Sequence, residues 1–173
     1  MRYYEIKRDY QLYNTLQIKR KFHQHPRMSQ ESFDKPPKLI VNYFHKNTYM
    51  QYTDFLFEPI LLISDGVKKV FELYEDSLKY KRIQLFCEDV QESTEYVYNF
   101  PYIKFLECLS VNTEYFPNKT IKKIVIDEKK ITNHHVFYIK DILDLKLIVS
   151  HAVVESILRR GLYGVIFEEV EIK

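Results

Sequence analysis

The alternation of apolar and polar residues along the chain predicts a protein built mainly of β-strands. Runs that alternate, or that are rich in β-branched and aromatic residues, predict strands at 3–6, 39–44, 82–86, 96–98, 102–109, 121–126 and 135–139. An apolar stretch at 53–57 leads through Pro59 into a further short strand at 60–63. Residues 14–35 are polar and include Pro26, so we expect a loop there.

Two segments carry the pattern of a strand, a serine, an amphipathic helix and a second strand. Ser64 and Ser150 follow apolar strands, and serine accepts hydrogen bonds from the free N–H groups at a helix start. Gly161 is placed to end the second helix, and Gly164 permits a tight entry into the strand at 165–167, which includes Phe167. The two predicted apolar helical faces are formed by Val67, Val70, Phe71 and Tyr74, and by Val153, Val154, Ile157 and Leu158.

This recurrence has two explanations that the sequence leaves open. The segments could descend from an internal duplication, or they could be two occurrences of a common local arrangement. Either way, helices do not alternate regularly with strands, which favours an α+β fold over a doubly wound sheet. We expect a single domain over 1–173 with a mostly antiparallel sheet and two or three helices, in which 52–173 form the core and 1–50 a basic N-terminal part.

Catalytic sequence motifs are absent. The chain has only three glycines, which excludes a glycine-rich phosphate loop, and it contains no G-x-S-x-G, H-E-x-x-H or C-x-x-C. Cys87 and Cys108 lie in apolar strands and are expected to be reduced, buried and unreactive. We therefore expect no enzymatic activity and no cofactor, although an enzyme with a dispersed site stays open.

The histidines do not predict a metal site. His23 and His25 would share one side of a strand, with His45 further on, but no carboxylate or cysteine ligand follows at a recognised spacing. His134 and His135 are adjacent in a predicted strand and would point to opposite faces. Exposed loop histidines and strand histidines explain the pattern better than a metal does.

The apolar segments do not predict export or membrane insertion. The first residues include no apolar signal region, and the longest apolar run, 55–63, is interrupted by Glu58 and Pro59. We expect a cytoplasmic protein that does not enter a membrane.

Charge is distributed unevenly between the two ends of the chain. Residues 1–50 carry ten Lys/Arg against four Asp/Glu, a net charge of +6, whereas 51–173 carry sixteen against twenty, a net charge of −4. A basic segment can attract nucleic acid, which makes a nucleic-acid-binding module the second hypothesis. The charges are spread rather than clustered, with the tightest group at 19–21, and this favours an ordinary solvated surface.

Three C-terminal segments resemble a known family. Residues 136–141 read V-F-Y-I-K-D, residues 147–150 read L-I-V-S, and residues 161–167 read G-L-Y-G-V-I-F. They resemble the immunity proteins of bacterial polymorphic toxin systems, in the immunity eleven and immunity forty-three groups. The likeness is best over 120–170 and weaker from about residue 52, and the first fifty residues contribute little. Ser64, Ser150, Gly161, Gly164 and Phe167 belong to this pattern, and each also has a structural explanation as a cap, a turn or a strand residue.

The resemblance implies a non-catalytic protein that binds a cognate toxin and occludes its active site. Aromatic side chains on polar strand faces are favoured interface anchors, so the candidate toxin-binding residues are Tyr43, His45, Tyr49 and Tyr52. An ordinary strand role for each stays open, as do the toxin's identity and the oligomeric state. The slightly basic chain disfavours overall mimicry of nucleic acid, although Glu168, Glu169 and Glu171 could form a local acidic patch.

Overall fold

The computed structural model describes residues 1–13, 15–18, 21–45, 50–88 and 95–173. Its strands are β1 (Tyr3–Arg8), β2 (Gln17–Ile18), β3 (Leu39–His45), β4 (Phe55–Leu56), β5 (Leu62–Ile63), β6 (Lys79–Cys87), β7 (Glu95–Tyr102), β8 (Phe105–Leu106), β9 (Glu114–Tyr115), β10 (Ile121–Lys123), β11 (Val125–Ile126), β12 (Val136–Ile139), β13 (Leu147–Ser150) and β14 (Val165–Ile172). Its helices are α1 (Gln30–Asp34), α2 (Asp65–Tyr74) and α3 (His151–Arg159), with a 3₁₀ turn at Glu128–Lys130.

The first sheet has the strand order β11–β14–β1–β13–β12–β8. β1 lies in its middle, antiparallel to both neighbours, and Ile6 stands opposite Leu147 on one side and Phe167 on the other. The outer pairs, β11–β14 and β12–β8, are parallel. The N-terminal residues therefore form a central strand in a sheet whose other strands come from residues 105–172.

The second sheet has the order β2–β3–β6–β7–β5–β4, and β9 pairs with β10 in a separate two-stranded sheet. In the second sheet only β3 and β6 run parallel, and the remaining neighbours are antiparallel. The predicted α+β class with largely antiparallel sheets is confirmed.

The two strand–serine–helix–strand segments have the same topology. β5 and β6 are both antiparallel to β7, so they run parallel to each other with β7 between them, and α2 connects them. β13 and β14 are likewise both antiparallel to β1, and α3 connects them. The intervening strand follows the first unit in the chain but precedes the second, so the correspondence is limited to the strand–helix–strand segments.

The two serines differ at their helix starts. Ser64 Oγ accepts a hydrogen bond from the Val67 N–H at 3.3 Å, as predicted. Ser150 stands at the N-cap of α3, but its hydroxyl makes no cap hydrogen bond and instead contacts His135 Nδ1 at 2.9 Å. Leu158, predicted to lie on the apolar face of α3, is 60% exposed because Val153, Val154 and Ile157 already fill the space beneath the helix.

Other differences from the predicted elements have tertiary causes. Within the predicted loop at 14–35, Ser29 caps the short helix α1, whose Phe33 is buried against the second sheet. The predicted strand at 121–126 divides into β10 and β11, because β10 pairs with β9 while β11 pairs with β14. The predicted strand at 102–109 is reduced to β8.

Three apolar clusters fill the interior. The first lies beneath α2 and α3, which pack side by side over the first sheet and the β4–β5 edge of the second. The second lies on the other face of the second sheet, beneath the segment containing Leu16 and Phe33. The third lies on the other face of the first sheet, beneath the segment from Leu106 to Ile131. In the described part of the chain, no helix is long and apolar enough to cross a lipid bilayer.

Candidate functional site

No described helix or strand covers one face of the second sheet at β3 and the adjoining parts of β6 and β7. Residues alternate between faces along a strand, and on β3 Asn42 and Phe44 are buried in the second cluster. α2 packs on β5 and β7 and does not extend over β3. We call the uncovered surface the open face; it is formed by Leu39, Val41, Tyr43, His45, Arg82, Gln84, Phe86, Glu95 and Val97.

Strand register arranges the open face in rows. Val41 lies beside Gln84, which lies beside Val97, and Tyr43 lies beside Phe86 with ring centroids 6.4 Å apart. Leu39 and Val41 are 46% and 50% exposed. A contiguous exposed apolar patch with polar residues at its rim is typical of a protein-binding surface.

The rim of the open face carries charge. Gln84 Nε2 donates to Glu95 Oε2 at 2.9 Å, which fixes the carboxylate beside the apolar row. Arg82 is exposed beside Leu39, and its guanidinium contacts no hydrogen-bonding or ionic partner among the described residues. A positive charge is therefore available next to apolar side chains.

Of the four residues predicted to bind the toxin, the structure describes three and places them on different faces of the second sheet. Tyr43 and His45 share the open face, because they are two positions apart on β3. Tyr52 packs instead on the second cluster, with its ring 5.6 Å from Tyr96, and burial together with the Asp54 carboxylate raises its pKa. Tyr49 lies outside the described residues.

Sequence reasoning missed the other residues of the open face. Apolar residues occur at both odd and even positions of β3, and this pattern is equally typical of a strand buried on both faces. The alternation of Leu39, Val41 and Tyr43 gave a signal in the sequence, but only the position of α2 shows that no described helix packs over Leu39 and Val41.

Ser64 and the segment between Gly161 and Gly164, both parts of the recognised sequence pattern, meet at Asp54, which is 7% exposed. Asp54 Oδ1 accepts from Ser64 Oγ at 2.6 Å, and Oδ2 accepts from the Tyr163 N–H at 3.0 Å. The carboxylate thus joins the start of α2 to the segment that follows α3. Asp54 and Tyr163 are 109 positions apart in the sequence.

Two glycines shape that segment. Gly161 has a φ of +63° and ends α3, with the Leu162 N–H donating to the Ile157 carbonyl at 3.2 Å. Gly164 has a φ of +109°, and a Cβ there would lie 2.8 Å from Cβ of Thr53. Phe167 packs against the first apolar cluster. Ser64, Gly161, Gly164 and Phe167 therefore each have a structural role within the fold.

A serine, a histidine and a glutamate meet where α2 ends and α3 begins. Ser150 Oγ lies 2.9 Å from His135 Nδ1, but Glu75 Oε2 accepts from the His135 backbone N–H, at 3.2 Å, and not from its ring. Ser150 is fully buried. A nucleophilic serine needs an oriented histidine and access to a substrate, and this arrangement provides neither. It serves as a structural link.

The cysteines and histidines show no other reactive arrangement in the described part of the chain. Cys108 is fully buried, and burial raises the pKa of its thiol to about 11. Cys87, predicted to be buried, is only half-buried because it ends β6 at the edge of the second cluster. No three His, Cys, Asp or Glu side chains of the described residues gather as metal ligands.

The uneven charge of the chain is partly neutralised by contacts within the fold. Lys7 binds Glu168, and Arg8 binds Glu58 with a separation of 3.1 Å. In the proposed acidic patch, Glu171 binds Lys123 at 2.6 Å. Basic residues of the N-terminal part thus face acidic residues of the remainder.

Two neighbouring concavities of about 470 and 500 Å³ lie on either side of the loop at 57–59. They share Arg8, Phe57, Glu58 and Pro59, and the Arg8–Glu58 ion pair lies between them. Their lining offers no arrangement of acid and base that indicates chemistry, so the open face is the stronger candidate.

A model of an immunity protein family, Imm11, matches residues 2–172. The match includes the N-terminal residues, so the expectation that the first fifty contribute little to the likeness is wrong. Among curated proteins, no sequence matches significantly.

Proposed function

Because the chain belongs to the Imm11 immunity protein family, we propose that it binds and neutralises a cognate toxin of a bacterial polymorphic toxin system. In this proposal it acts in the cytoplasm, without catalysis, by occluding the active site of the toxin. The observation that carries the proposal is the family match over residues 2–172.

The open face supports this proposal as the contact surface. It offers exposed apolar side chains beside the Arg82 guanidinium, which has no partner in the described part of the chain, and this suits a protein partner better than a small molecule. Tyr43 and His45, two of the residues predicted from sequence, lie on it. Binding would bury Leu39 and Val41, which the fold leaves half-exposed.

The test is co-expression with the C-terminal domain of the protein encoded immediately upstream. We expect that domain alone to arrest growth, and co-expression of this chain to restore growth and give a complex that co-purifies at moderate salt. Neither rescue nor a complex would refute the pairing, and rescue without a complex would refute neutralisation by binding.

Variants of the open face test the location of the contact. We expect Tyr43→Ala to weaken the complex about tenfold, because an aromatic anchor is lost. The matched control is Tyr115→Ala, since Tyr115 is 51% exposed on β9, outside the second sheet. Equal affinity of the Tyr43→Ala variant and the wild type would place the contact elsewhere.

A further inference from the structure

The outer edge of β3 is paired over only part of its length. The Lys38 carbonyl accepts from the Arg82 N–H at 2.9 Å, and the Phe44 carbonyl accepts from the Glu88 N–H at 3.2 Å, both on the side of β6. In a parallel ladder the intervening odd-numbered residues direct their N–H and C=O groups the other way. Leu39 and Val41 therefore present their backbone groups to the outer edge.

β2 covers this edge only at the far end of β3. Gln17 pairs with His45 and Ile18 with Phe44. Among the described residues, none forms a hydrogen bond with the backbone of Leu39 or Val41. The edge is thus open over about three residues, beside the open face.

Pro36, Pro37 and the exposed Lys38 border this stretch of edge, but Leu39, Ile40 and Val41 themselves include none of the residues that protect an edge from strand pairing. Natural edge strands are blocked by lysine, proline, bulges or a covering segment. Here Leu39 and Val41 are apolar and half-exposed, and Val41 is β-branched. An edge of this composition fits a strand supplied by another protein, whose main-chain groups would complete the ladder.

The positive charge of Arg82 on the open face indicates that the added strand carries a carboxylate. Arg82 lies beside Leu39 on β6, one strand further from the edge. Neighbouring strands lie about 4.8 Å apart, so an added strand would run roughly 10 Å from β6, within the combined reach of an arginine and a glutamate side chain. The other side chains of the open face closest to an added strand include the apolar Val41 on β3 and Phe86 on β6.

We propose that the toxin supplies an extended segment that pairs with β3 at Leu39 and Val41. Its apolar side chains lie on the open face, and a carboxylate of the segment binds Arg82. This inference rests on the proposed function and specifies how the toxin is held.

Val41→Pro tests the backbone contact. Proline removes the N–H that points to the outer edge, while the ladder to β6 is kept, and edge strands tolerate proline. We expect the complex with the C-terminal domain of the upstream protein to weaken on the order of 100-fold. Val41→Thr, which keeps both the N–H and the branched shape, should bind within about fivefold of the wild type. Equal binding of the proline variant and the wild type would overturn the proposal.

Amide hydrogen exchange on the wild-type chain gives a second measurement that needs no variant. We expect the N–H groups of Leu39 and Val41 to exchange quickly in the free protein and at least tenfold more slowly in the complex. Unchanged exchange in a complex that forms and restores growth would refute strand addition while the proposed function stands. Failure of the wild type both to bind and to restore growth would refute both.

A variant of Arg82 tests the proposed contact with a carboxylate of the toxin. Arg82→Gln should weaken the complex and reduce the dependence of its affinity on salt concentration. The control is Lys140→Gln, which should do neither, because Lys140 follows β12 in the first sheet and pairs with Glu107. An unchanged salt dependence for Arg82→Gln would refute the carboxylate contact.

If sedimentation shows the free chain to be a dimer, and hydrogen exchange shows the Leu39 and Val41 amides already protected in it, a second copy covers the edge and the proposal is wrong.

Discussion

Asp54 connects parts of the chain that are distant in sequence, and it does so with one buried carboxylate. It holds the hydroxyl of Ser64 at the start of α2 and the N–H of Tyr163 after α3. Its own N–H donates to the Tyr163 carbonyl at 3.0 Å. A residue with these contacts contributes to stability whatever the protein binds.

We expect Asp54→Ala to lower the free energy of unfolding by about 3 kcal/mol, because a buried hydroxyl and a partly buried N–H lose a charged acceptor. Asp54→Asn, which keeps one carbonyl oxygen, should cost less. Urea denaturation measures both, with Asp144→Ala as the control because Asp144 is exposed. A loss at Asp54 no larger than at Asp144 would contradict this role.

For Tyr80 we expect the opposite effect, a gain in stability on substitution. Its buried hydroxyl lacks a hydrogen-bond partner among the described residues. Burial, with a smaller effect of Glu72, raises the pKa of this tyrosine. We expect Tyr80→Phe to raise the unfolding free energy at pH 7 by about 1 kcal/mol, since the desolvated hydroxyl is removed.

This difference should depend on pH. Below the ordinary tyrosine pKa of about 10, Tyr80 keeps its proton in both states. Above it the unfolded chain ionises first, so the wild type loses stability as pH rises towards the raised pKa of the folded state. The advantage of Tyr80→Phe should therefore widen above pH 10, and urea denaturation at a series of pH values measures it.

At the scale of elements, the end of α3 depends on two glycines with different requirements. Both have positive φ, but a Cβ at Gly161 would meet no atom within 4 Å, whereas one at Gly164 would collide with Thr53. The first glycine is needed for backbone conformation alone, and the second for conformation and close approach.

We expect Gly161→Ala to cost about 1 kcal/mol and Gly164→Ala about 3 kcal/mol, because the second adds a steric clash to the strained φ. Thermal unfolding of the two variants measures the difference. Gly161→Asn should be milder than Gly161→Ala, since asparagine tolerates the left-handed region better. Equal costs at the two glycines would show that the contact with Thr53 relaxes freely.

Among the strands, β3 could be assigned from sequence but its environment could not. Its apolar and aromatic residues predict the strand, and the structure confirms it at Leu39–His45. Which face is covered depends on α2, whose position follows from packing against α3 and β5. The same limit applies to Tyr52, whose ring is held by Tyr96 and Tyr98 from a strand more than forty residues away.

At the scale of the whole molecule, the two ends of the chain complete one sheet. Tyr3 and Ile6 of β1 are each 4% exposed, and β1 separates β13 from β14. The first sheet consequently cannot form from the C-terminal half alone. The N-terminal part contributes a core strand as well as positive charge.

We expect deletion of residues 1–8 to abolish cooperative unfolding, because β13 and β14 lose the strand between them. The matched control is the double variant Lys7→Ser and Arg8→Ser, which removes the ion pairs with Glu168 and Glu58 but keeps the strand. That variant should lose less than about 1 kcal/mol. A truncated chain that still unfolds cooperatively, followed by circular dichroism, would show that β1 is dispensable.

The sequence by itself determined what local physics can specify. The period of apolar residues placed the strands and the helical faces of α2 and α3, and the residues at their ends predicted the cap at Ser64 and the termination at Gly161. The pattern of these residues was also enough to indicate the family. All these signals lie within a few positions of one another along the chain.

Only the tertiary structure decided which strands are neighbours and which surface remains open. The division of 121–126 between two sheets, the diversion of the Ser150 hydroxyl to His135, and the separation of Tyr52 from Tyr43 each depend on residues far away in sequence. Strand pairing and helix docking are set by the whole set of long-range contacts. The open face and the unpaired edge of β3 exist because none of the described elements is placed to cover them.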